Sequence, residues 1–327
     1  MTNNRRQAAG HLTALFTIIL WGTTFISTKV LLKTFSPQEL FFLRFALGYV
    51  ALFAIHPHFV KTKRLKDELL FMGAGLSGVT LYFLLENIAL EFSTASNVGV
   101  LVAVSPLLTA LLIPVFLKGE RLHLRFFVGF VIAIAGIVLV SFNGQFVLKL
   151  NPLGDLLAVL AALAWAFYSI LMRKISDLAL NNIACTRRIF FYGILFMLPV
   201  LPFMGFDIQP QQLIVPENLF NLLYLGLGAS ALCFVTWNWV LSVLGTLTTN
   251  VYIYVVPVVA VISSVIILHE QLTAVSVVGS LLILAGLVIS QLKPRPVQEE
   301  PSPNVVLAEE PEPAEIAAAE KADRMVH

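Results

Sequence analysis

Apolar residues in this chain come in long blocks, not at the spacing of an amphipathic helix. Ten blocks approach the roughly 20 residues that a helix needs to cross a bilayer core. They run over 12–32, 39–56, 68–90, 96–117, 124–142, 153–172, 183–204, 219–243, 248–268 and 274–292. Each is expected to be helical, because backbone groups left unpaired in hydrocarbon are costly. The first block is longer than a signal-peptide core and has no small-x-small cleavage site, so it reads as an uncleaved span behind a short segment, 1–11. From residue 293 to 327 the pattern is lost. Six prolines and seven glutamates interleave there with no face to bury, which predicts a disordered acidic tail.

Composition strengthens this reading. Hydrophobic residues make up 58% of the 327 and charged residues 12%, against about 25% charged in a soluble domain. Too few charges exist to cover a water-facing surface. Their placement sets an orientation. With the N-terminus in the cytoplasm, fifteen Lys and Arg fall on the inner side and four at or near the outer side. The bias predicts both termini inside and an even number of spans; a plasma (bacterial inner) membrane location is expected. The chain has no basic patch interleaved with exposed aromatics, so nucleic acid is not expected as a partner. Cys185 and Cys233 sit in apolar blocks without metal-ligand spacing and read as packing residues.

The chain also repeats itself. Trp21, Lys29 and Arg44 recur as Trp165, Arg173 and Arg188, shifted by 144. Gly73, Gly75, Ser77 and Asn97 recur as Gly226, Gly228, Ser230 and Asn250, shifted by 153. Pro106 recurs as Pro257; Glu120, Gly129, Ala135 and Gly136 recur as Glu270, Gly279, Ala285 and Gly286. A unit of five spans is odd, so the second copy must insert upside down. Residues 12–142 and 143–292 are therefore expected to be inverted repeats around a shared midplane cavity, the architecture of alternating access.

These residues also carry a resemblance. Trp21-Gly22-Thr23-Thr24-Phe25 with Lys29, then Ser36-Pro37 and Leu43-Arg44-Phe45, resembles the opening of the drug/metabolite transporter superfamily in its ten-helix EamA-like branch. The stretches 89–97 and 105–111, Lys118-Gly119-Glu120 with Gly129 and Ala135-Gly136, and the second copy at Pro257, Glu270, Gly279 and Gly286 resemble that family's later helices; His269 stands where the family usually has glycine. The resemblance spans about 12–292. It implies two interleaved five-helix repeats around a central cavity and substrates such as amino acids, nucleobases or sugars, often exported, with proton coupling in some relatives.

Candidate chemistry is sparse. An ionisable side chain inside a membrane helix is a functional hypothesis by default, and Glu86 with Asn87 heads the candidates. Tyr82 lies one turn before Glu86 on the same face. Glu86 could hold a substrate amine or a coupling proton; a hydrated place near the outer interface is the competing reading. Trp21 and Trp165, as repeat mates in mid-helix, and Tyr168, Trp237, Asn238 and Tyr252 are further candidates for substrate contact. Interfacial anchoring competes for Trp237. Pro106 and Pro257 are read as hinges, gates or static kinks. Asn97 and Asn250 are read as caps or interhelical bridges, Glu120 and Glu270 as caps or ion pairs, and Arg44 and Arg188 as snorkelling cations. Small residues in the fifth and tenth segments suit close packing, within one chain or between two copies.

The sequence lacks GxxxxGK[ST], HExxH and GxSxG, and its six histidines form no cluster. The expectation is a cofactor-free secondary transporter, most consistent with an exporter of amino acids or related small metabolites. An intramembrane enzyme acting on lipid head groups is the alternative.

Overall fold

The structure, a computed structural model, describes residues 3–59, 61–62, 64–92, 95–117, 124–142, 152–259, 262–263 and 274–291. Among them all regular structure is helical. Helical segments fall on all ten apolar blocks, as expected of an all-α integral membrane protein. They are α1 (Asn3–Leu31), α2 (Pro37–Ile55), α3 (Leu65–Phe92), α4 (Ala95–Val102 and Ser105–Phe116), α5 (Leu124–Phe142), α6 (Pro152–Ser176), α7 (Asn182–Met197), α8 (Pro216–Leu244), α9 (Thr246–Val259) and α10 (Ala274–Gln291). The 293–327 tail, Glu120 and Glu270 lie outside the described residues.

Helix ends follow local chemistry. α1 starts well before the apolar block, because residues 4–8, polar as far as Gln7, continue the same helix as an exposed first stretch. α2 opens with Pro37 at its first position, and the Ser36 N–H donates to the Glu39 carboxylate at 2.8 Å. α7 stops at Met197, short of the expected residue 204. Leu198 keeps helical backbone, but Pro199 has no N–H to continue the ladder, and the chain resumes with one short turn, Leu201–Met204.

Two pairs of equivalent helices carry irregularities. α3 contains a wide π segment, Leu76–Leu81, and α8 contains another, Tyr224–Leu232. α4 breaks at Ala103 and Val104, and Pro106 stands in the first turn of its second half, where a missing N–H costs nothing. α9 narrows to a 3₁₀ turn, Tyr252–Val255, just ahead of Pro257. Both prolines therefore mark interruptions of a helix.

The halves interleave. α1 packs on α8 and α6 on α3, while α2 packs on α8 and α7 on α3. The inversion is visible where α5 meets its repeat mate α10. A Cβ on Gly129 would lie 2.5 Å from the carbonyl oxygen of Gly286, and one on Gly136 would lie 2.5 Å from that of Gly279. Advancing along α5 means retreating along α10, so the two equivalent helices cross antiparallel. A repeat whose mates run in opposite directions is an inverted repeat.

Candidate functional site

A cavity opens among α1, α2, α3, α4, α6 and α9. Its walls include Trp21, Thr24 and Phe25 of α1, Arg44 of α2, Tyr82, Phe83 and Glu86 of α3, and Trp165 of α6. Both interrupted helices reach it: Ala103 lies in the break of α4 with Ser105 just after it, and Ile253 lies in the 3₁₀ turn of α9 with Val256 just after it.

Aromatic packing fixes one wall. Trp21 meets Trp165 edge-on at 5.3 Å between centroids, and Trp165 also lies 5.0 Å from both Tyr82 and Tyr168. Trp21 is held by its indole N–H, which donates to the Ala229 carbonyl in the π segment of α8 at 2.9 Å. The corresponding feature in the other half is steric: Gly78, in the π segment of α3, lies against the Tyr168 ring with no room for a side chain.

Two opposite charges face this wall. Glu86 is 7% exposed, and the Tyr82 hydroxyl donates to its Oε1 at 3.1 Å. Arg44 is 3% exposed; its Nε donates to Ser230 Oγ at 2.8 Å, and its Cζ sits 4.3 Å over the Phe83 ring. Among the described residues no carboxylate comes within 4 Å of the Arg44 guanidinium, and its terminal nitrogens have no hydrogen-bond partner. The cavity thus presents a guanidinium and a carboxylate that do not close on each other. A ligand carrying an anion and a cation fits between them.

The sequence candidates divide accordingly. Trp21, Tyr82, Glu86 and Trp165 line the cavity together. Asn87 does not: its amide donates to the Pro37 carbonyl at 3.2 Å and ties α3 to the start of α2. Tyr168 and Asn238 lie behind the wall, with Tyr168 donating to Asn238 Oδ1 at 2.5 Å and Asn238 to Thr186 Oγ1 at 3.0 Å. Trp237 is fully buried, 5.0 Å from Trp21, so interfacial anchoring does not apply to it. Tyr252 bonds His11 Nδ1 at 2.6 Å, linking α9 to the first turns of α1. Asn250 is no cap; it lies late in the first part of α9 and accepts from Ser169 of α6 at 3.1 Å, the bridging alternative.

Arg44 is the residue the sequence reading misplaced. Snorkelling would carry its head to water, yet it is buried against Ser230 and Phe83. Arg188 is half-buried and pairs in bidentate fashion with Glu68, which also accepts from Tyr192. The sequence carried only part of the signal: an arginine inside an apolar block is a functional hypothesis by default, and that holds for Arg188 as much as for Arg44.

Comparison with known proteins agrees with this architecture. Residues 8–142 and 152–291 each match the EamA-like transporter family. The chain belongs to that family. It is therefore a multi-pass membrane transporter of small metabolites, and the family indicates transport rather than the head-group enzyme. An uncharacterized transporter of Archaeoglobus fulgidus is 30% identical to this EamA-like chain over 287 residues, covering 86% of it and 97% of the relative. A probable amino-acid metabolite efflux pump of Escherichia coli is 29% identical, covering 85% and 93%. One solved crystal structure superposes with a TM-score of 0.70 at 20% identity, over 87% of this chain and 96% of the other, which supports the fold alone.

Proposed function

We propose that this EamA-like transporter exports α-amino acids and closely related zwitterions across the plasma (bacterial inner) membrane. The observation that carries the reading is the pair of uncombined opposite charges, Arg44 and Glu86, in one aromatic-walled cavity. Arg44 receives the α-carboxylate through its terminal nitrogens, and Glu86, steadied by Tyr82, receives the α-ammonium. Trp21, Phe25, Phe83 and Trp165 supply an apolar surface, which favours amino acids with large apolar side chains. The similarity to an amino-acid metabolite efflux pump points the same way.

The halves 12–142 and 143–292 are taken as the two units that rock about the cavity. Both termini lie in the cytoplasm, as the Lys and Arg bias requires. Glu86 is also the one described cavity carboxylate able to carry a proton in exchange for substrate.

Matched ligands test the charge pairing. Wild-type protein is expected to bind phenylalanine in preference to phenethylamine, which lacks the carboxylate. Arg44→Gln removes charge-assisted bonds worth about 1.5–3 kcal/mol, so it loses roughly ten- to hundredfold in phenylalanine affinity and most of that preference. Glu86→Gln loses the preference for phenylalanine over its N-acetyl derivative. Ligand-induced thermal shifts read both. Arg44→Gln discriminating as well as wild type would remove the carboxylate assignment. Counterflow in proteoliposomes, with and without a pH gradient, then measures transport and its coupling.

A further inference from the structure

A second cavity lies between α2 and α7, beside the connection that follows α2. Tyr49, Phe59, Arg187, Arg188, Phe191 and Tyr192 line it. Arg187 is 3% exposed and rigidly held. One terminal nitrogen donates to the His56 carbonyl and the other to the His58 carbonyl at 2.7 Å, while Phe53 and Phe59 flank its Cζ at 5.2 and 4.9 Å. Every one of these partners is neutral. Among the described residues no carboxylate lies within 4 Å of Arg187; Glu68, the nearby acid, is engaged by Arg188, Tyr192 and Thr62.

Of the two guanidinium groups at this open cavity, Arg188 thus has a carboxylate partner and Arg187, among the described residues, has none within 4 Å. Carbonyl dipoles and ring faces stabilise the buried Arg187 charge only in part, so the cavity attracts an anion. The rim says which kind. Phe53, Ile55, Phe59 and Phe191 are 39%, 66%, 73% and 47% exposed, an apolar border in a chain whose outer surface contacts lipid. Beyond it the connection to α3 carries the exposed Lys61 and Arg64, and the first turn of α3 the exposed Lys66. Buried cation, apolar rim and basic fringe follow the order of charge and hydrocarbon in a phospholipid at the membrane boundary.

We propose that this groove binds the head group of an anionic phospholipid, its phosphate at Arg187 and its acyl chains along Phe53, Phe59 and Phe191. A small soluble phosphate gains nothing from that rim. The site is separate from the substrate cavity, and its test needs no transported substrate.

Purified full-length protein is delipidated, exposed to equal amounts of phosphatidylglycerol and phosphatidylcholine, and examined by native mass spectrometry. Wild type is expected to retain one phosphatidylglycerol, at least about fivefold over phosphatidylcholine, on the scale of one basic side chain at a membrane surface. Arg187→Gln is expected to abolish that preference. Because Arg187 also holds the chain at His56 and His58, Phe59→Ala serves as the second variant; it leaves the carbonyl anchors and is expected to weaken retention several-fold. Excess inorganic phosphate is expected not to displace the lipid. Equal retention of the two lipids by wild type, unchanged preference in both variants, or ready displacement by phosphate would each overturn the assignment.

Discussion

Arg44 and Arg188 occupy equivalent places in the two halves, and the fold gives them different company. Arg188 has a carboxylate partner in Glu68; Arg44 has a hydroxyl and a ring face, leaving its terminal nitrogens to the cavity. Sequence alone could not separate the two. A long cation near a helix end can turn to water or inward, and only Ser230 and Phe83, brought in from α8 and α3, decide. Tyr82, Glu86, Trp21 and Trp165 were legible because helical spacing and the repeat fix their faces before any packing is known. Tyr168 and Asn238 looked the same by type, but they bond each other behind the wall. Glycines give a sharp test at this scale. Gly78→Ala pushes a methyl into a Tyr168 ring anchored through its hydroxyl, and is expected to cost about 1–3 kcal/mol, seen as a lowered Tm. Gly99 lines the cavity and, among the described residues, has no atom within 4 Å of an added Cβ. Gly99→Ala should leave Tm unchanged while reducing affinity for the bulkiest substrates in a thermal-shift series.

At the scale of single helices, hydropathy located every described span and missed what happens inside four of them. The interruption in α4 and the 3₁₀ turn in α9 sit just ahead of Pro106 and Pro257, so these were half-readable. The π segments of α3 and α8 were not, because a widened turn depends on partners elsewhere in the chain. Trp21 supplies one by bonding the Ala229 carbonyl. Trp21→Phe keeps the ring and deletes that donor; the expected loss is about 1 kcal/mol, measured as a Tm shift relative to wild type. The prolines belong to motion. Pro106→Ala with Pro257→Ala restores two backbone donors and favours unbroken helices. Binding affinity should hold within a few-fold while the counterflow rate falls at least about tenfold; an unchanged rate would show that the interruptions are static.

For the whole molecule, the repeat and the odd number of spans per copy were enough to foresee inversion, because they are properties of order and count. Which contacts differ between the halves was not foreseeable from symmetry. α7 is tied to α3 through Arg188, Glu68 and Tyr192, whereas the equivalent contact of α2 with α8 uses Arg44 and Ser230 without an ion pair among the described residues. Glu68→Gln is expected to loosen the first tie and shift the population toward the opposite opening. Cysteine labelling along α7 should then become faster than in wild type, and unchanged rates would mean that this ion pair carries no conformational bias. The seam between α5 and α10 has another consequence. With backbone against backbone at Gly129–Gly286 and again at Gly136–Gly279, neither rod can slip past the other, so the joint works as a rivet. A covalent bond placed across it ought to leave turnover running, while the same bond between α7 and α3 ought to freeze it.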